Sequence, residues 1–168
     1  MYHATRRRVT ALVVDLDPNQ LATPVPGTPA WTVQDLLAHL SGVAADLVAG
    51  NMEGAATDAW TARQVAQRRG RASSELLEEW EGNAPAVEAF LAGVDFHPFV
   101  VDVFTHEHDL RGALGEPGSS DAAVTPSWWA GSPPWPLVRA LARPVCPPFV
   151  SWATTTAGSR ETPRLRPR

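Results

Sequence analysis

The chain has 168 residues, 44% hydrophobic and 19% charged, with a formal net charge of -4. That length and balance fit one soluble globular domain with its own core and an extension beyond it, not a disordered chain. The acidic balance excludes nucleic-acid binding as the main role, because phosphate contacts need a basic face, and no apolar run approaches the roughly 18 residues of a membrane span.

In chain order, residues 5–16 read as a helix, with Val9, Leu12, Val13 and Leu16 at spacings of three and four. Arg6, Arg7 and Arg8, and further on Arg68, Arg69 and Arg71, are the basic concentrations, and both are expected on solvated helix faces. The start is too poor in apolar residues and meets an acid too early for a signal peptide. Pro18, Pro24, Pro26 and Pro29 then predict an irregular connection.

The second helix has a clear start. In WTVQDLLAHLSG, Thr32 is the candidate N-cap with Asp35 three residues on, and Trp31 and Leu36 stand where a hydrophobic staple packs. Gly50 and Asn51 are its stop signals. A third helical region covers about residues 59–92, broken at Gly70 and disturbed at Pro85, with Leu76, Leu77, Trp80, Val87, Phe90 and Leu91 at helical spacing. The fourth begins near Pro98, a favoured first-turn residue, and stops at Gly115 before Pro117. Four helices in residues 1–116 predict an all-α four-helix bundle.

From residue 117 to 168 the chain changes character. Ten of the sixteen prolines lie there, so long helices and central strands are excluded. The same stretch carries Trp128, Trp129, Trp135 and Trp152. Three readings are open: an irregular tail wrapped over the bundle, a partner contact, or a tail read from a shifted frame. All basic residues are arginine, the mark of a GC-rich genome. The only cysteine, Cys146, rules out an internal disulfide and suits a reducing cytoplasm.

The chemistry concentrates in the fourth helix, VVDVFTHEHDLRGALG. At 100° per residue, with Val100 at zero, apolar residues cover most of the circumference, while Asp102, His106 and Asp109 share one stripe at about 180–240° and His108 stands apart at about 80°. Asp102 and His106 are i and i+4, one turn apart, where two side chains can hold one ion. The competing reading is a set of ion pairs with arginines, or a wet groove. On the second helix His39 lies at the margin of the apolar stripe, facing either solvent or the core. Two histidines and one carboxylate with an open position make a catalytic zinc-type site, and equally suit nickel, iron or manganese.

WTVQDLLAHLSG followed by GN, TDAWTARQVAQRRGR and VDVFTHEHDLRGALGEPG resembles the mycothiol-dependent maleylpyruvate isomerase-like proteins, of the DinB-like superfamily of metal-binding four-helix bundles. The resemblance covers about residues 1–118. It implies a divalent-metal triad of His39, Asp102 and His106, with aspartate where the better-studied isomerases carry glutamate. It also implies a low-molecular-weight thiol, mycothiol, used in isomerisation or transfer with a small-molecule substrate. The family's C-terminal domain has no recognisable counterpart after Gly118.

On this reading Asp109 or His108 orients a ligand or carries a proton, and Arg111 either pairs within the bundle or binds an acidic substrate or cofactor. The alternative is a non-enzymatic bundle, metal-binding or metal-free, that dimerises through its tryptophans or binds a small molecule. Zinc, a cytoplasmic location and a homodimer are the accompanying expectations.

Overall fold

The computed structural model describes residues 1–93 and 97–116. The expectations for residues 117–168, including the irregular tail and Cys146, lie outside the described residues.

Helix α1 (Tyr2–Val13) buries Tyr2, Thr5, Arg6, Val9 and Val13 on one face. The proline-rich connection then holds more order than expected. Asp17 caps a one-turn helix α2 (Pro18–Leu21) with a capping box, and Pro18 takes the first turn, where no amide donor is needed. Strands β1 (Pro24–Val25) and β2 (Thr28–Thr32) follow as a small antiparallel ribbon, Pro24 opposite Thr32 and Val25 opposite Thr28. A two-stranded ribbon is all edge, so its prolines remove no interior ladder bond. Val25 is fully buried beneath it.

Helix α3 (Val33–Ala49) starts as the sequence predicts: Thr32 accepts from the Asp35 amide, and Asp35 accepts from the Thr32 amide at 3.0 Å. It ends at Gly50 in the left-handed region, φ 74°. The third helical region divides into α4 (Asp58–Arg68) and α5 (Ser73–Gly93), separated by Gly70 at φ 83°. Pro85 does not interrupt α5. It is exposed, so water can satisfy the carbonyl that its missing N–H leaves free. Helix α6 (His97–Leu114) closes the described fold at Gly115, φ 68°.

Helices α1, α3, α5 and α6 form the four-helix bundle, and α4 packs on the outside of α3. Trp80, Leu36, Leu37, Leu40, Leu76 and Leu110 fill the core, each almost wholly shielded from solvent. The expected solvated basic faces hold for Arg7 and Arg69, which are exposed, and are corrected for Arg6 and Arg68. Arg6 and Arg68 are buried, Arg6 paired with Glu81 and Glu88 and Arg68 with Glu79, because α5 lays acids across both of them. No helix among the described residues is long and apolar enough to cross a membrane.

Candidate metal centre

The site lies where α3 faces α6. His39, midway along α3, is 4% exposed, so its marginal position on the wheel resolves toward the core. Asp102 and His106, one turn apart on α6, meet it there. His39 Nε2 lies 3.6 Å from Asp102 Oδ2, and His106 Nε2 lies 3.4 Å from Asp102 Oδ1. The two imidazoles stand edge to face, centroids 5.1 Å apart. One donor atom from each of the three residues lies within 4.8 Å of the others.

Those separations suit a shared ion. Ligands about 2.0–2.1 Å from a tetrahedral zinc are about 3.3 Å from one another, and each imidazole stands near that distance from one of the two Asp102 oxygens. Each histidine also has its far nitrogen engaged. His106 Nδ1 lies 2.9 Å from Asp109 Oδ2, and His39 Nδ1 lies 2.9 Å from Gln64 Oε1.

The electrostatics agree with the geometry. Burial pushes the Asp102 carboxyl up, yet the charges and hydrogen bonds of His106 and His39 outweigh it and hold Asp102 far below the usual carboxylate range. Burial pushes His106 down, but the Asp102 charge and hydrogen bonds to Asp102 and Asp109 raise it to about 9. Asp102 is therefore the anion of the cluster, held ionised by the imidazoles beside it.

The remaining sequence candidates separate. Asp109 reaches the cluster through His106. His108 does not: it is exposed on another face, its ring against Phe104 at 4.7 Å. Arg111 donates to Glu107 at 2.9 Å and 3.0 Å, and Arg8 binds the same carboxylate from α1 through Nε at 2.7 Å. Glu107 is buried where α6 meets α1, and this arginine pair offsets its desolvation.

Sequence reasoning missed Gln64. It is fully buried on α4, and its Nε2 donates to Asp46 Oδ2 at 2.8 Å. Nothing local marks it, because its importance comes from α4 packing on α3. Gly42 allows that packing: a Cβ there would meet Gln64 Cβ at 2.7 Å. His39 and Gly42, three apart in HLSG, share the face of α3 that receives α4.

A helical bundle with two imidazoles and a carboxylate converging between facing helices defines the DinB-like class of metal-site bundles. The family model described as the mycothiol maleylpyruvate isomerase N-terminal domain matches residues 2–105, and the chain belongs to that family. No curated protein and no solved structure matches the chain.

Proposed function

We propose that this protein is a metal-dependent, thiol-using transferase or isomerase whose centre is His39, Asp102 and His106. The observation that carries the reading is the convergence of three donor atoms of two residue types within 4.8 Å. Zinc fits the two nitrogens and one oxygen best, and nickel, iron or manganese would accept the same donors. A divalent ion held there would lower the pKa of a bound thiol, mycothiol or one similar, so that thiolate is available at neutral pH.

The chain's own residues prepare that site. Asp109 holds the His106 ring by Nδ1, which leaves Nε2 directed at Asp102. The half-buried Trp31 ring lies 5.3 Å from His39 and supplies an apolar wall beside it. The Asp102 side chain is 20% exposed, the most open of the three, and a thiol would enter on that side. On this reading the bundle of residues 1–116 is the metal-binding unit.

Isothermal titration with mycothiol tests this reading. The zinc-loaded protein is expected to bind the thiol and release a proton to buffer, and the His106→Ala variant to do neither. Equal binding by parent and variant would reject metal-directed thiol activation.

A further inference from the structure

We propose that Gln64 is a positioning residue that fixes the tautomer of His39, acting from α4 through a chain that runs Asp46, Gln64, His39. The inference rests on the metal reading for its purpose, but its geometry stands by itself.

Both ends of the Gln64 amide are engaged. Its Nε2 lies 2.8 Å from Asp46 Oδ2 and its Oε1 lies 2.9 Å from His39 Nδ1. A carboxylate oxygen accepts and cannot donate, so the amide N–H must face Asp46. The reversed amide would set its carbonyl oxygen against a carboxylate oxygen and its N–H₂ against the ring. Oε1 is therefore committed to His39, and a carbonyl oxygen also only accepts. His39 Nδ1 must carry a proton, and in the neutral ring that leaves Nε2 bare toward Asp102 and His106.

Burial makes the chain decisive. Gln64 is 0%, His39 4% and Asp46 7% exposed, so water cannot substitute for a misdirected partner. The two histidines are thereby held by different acceptors, His106 by the Asp109 carboxylate and His39 by a neutral amide. A carboxylate strengthens its imidazole as a ligand more than an amide does, so His39 is the weaker donor of the pair.

Nitrogen-15 NMR distinguishes the two neutral tautomers from the doubly protonated ring and reads His39 directly in metal-free protein. His39 in the parent is expected as the Nδ1–H form, and in Gln64→Leu as a mixture or the Nε2–H form. Nε2–H in the parent, or the same tautomer in both, overturns the proposal. Zinc affinity, measured by chelator competition, should fall about ten- to a hundredfold in Gln64→Leu. The double variant Gln64→Glu, Asp46→Asn keeps an acceptor for His39 and turns the Asp46 carboxylate into an amide that can donate to the new one, so it should retain the parent tautomer and most of the affinity.

Unchanged zinc affinity in a folded Gln64→Leu would refute the positioning role. If Gln64→Leu does not fold, the parent tautomer and the double variant Gln64→Glu, Asp46→Asn decide the question. A parent that binds no zinc would defeat the metal reading alone, since the tautomer measurement contains no metal.

Discussion

Replacing Gly42 by alanine inserts one methyl group at a close approach of α3 and α4. That Cβ would stand 2.7 Å from Gln64 Cβ and 3.0 Å from Arg68 Nη1. Arg68 can withdraw a flexible end, but Gln64 Cβ is fixed to the backbone of its helix. Overpacking of this kind costs about 1–3 kcal/mol, and the gain in helix propensity returns at most about 1 kcal/mol. The shift also loosens the Gln64 hydrogen bonds to His39 and Asp46, each contributing about 1 kcal/mol. A net loss of about 2 kcal/mol is expected, read as a lower urea midpoint at unchanged m value. Gly82 in α5 is the control: nothing among the described residues lies within 4 Å of its Cβ position, so Gly82→Ala should stabilise by about 0.5–1 kcal/mol. A Gly42→Ala protein as stable as the parent would refute the close approach, and with it the route by which Gln64 reaches His39.

Burial pushes the only tyrosine, Tyr2, up to about 12, against a lowering hydrogen bond from the Trp80 indole at 2.8 Å. Ultraviolet titration should find it near 12 folded and near the ordinary value of about 10 in urea. Stability present below pH 10 is then lost as pH rises toward 12, and a folded midpoint near 10 would contradict this burial. Burial pushes Glu107 up, but Arg8 and Arg111 outweigh it and hold its carboxyl below the usual range. Its stabilisation is therefore present above the ordinary glutamate value and lost as pH falls through the folded one; Glu107→Gln should lose stability at neutral pH and show a shallower acid dependence in urea unfolding. Thr32→Ala, which removes the α3 cap, should cost about 1 kcal/mol by thermal unfolding, and no change would argue against the capping box.

Local signals in the sequence carry most of the fold. Thr32, Asp35, Gly50, Gly70 and Gly115 act within one turn of themselves, so the helix ends they predict match the structure. The stripe of Asp102, His106 and Asp109 follows from helical periodicity alone, and the same geometry turns His108 away. Contacts between distant segments were not legible. Gln64 gains its role only when Gly42 brings α4 against α3, and the buried Glu107 is explained by Arg8, 99 residues away. The ribbon after α2 was hidden because its prolines suggest an irregular connection, while each occupies a site where no interior ladder bond is required.

The proposed function turns on a metal held by His39, Asp102 and His106. Elemental analysis of untagged protein, beside its His106→Ala variant, tests it most directly. Near-stoichiometric divalent metal in the parent and little in the variant is the predicted result. A metal-free parent, even after incubation with zinc, nickel and manganese, would contradict the claim and leave the three residues as a proton-stabilised ion-pair cluster inside a structural bundle.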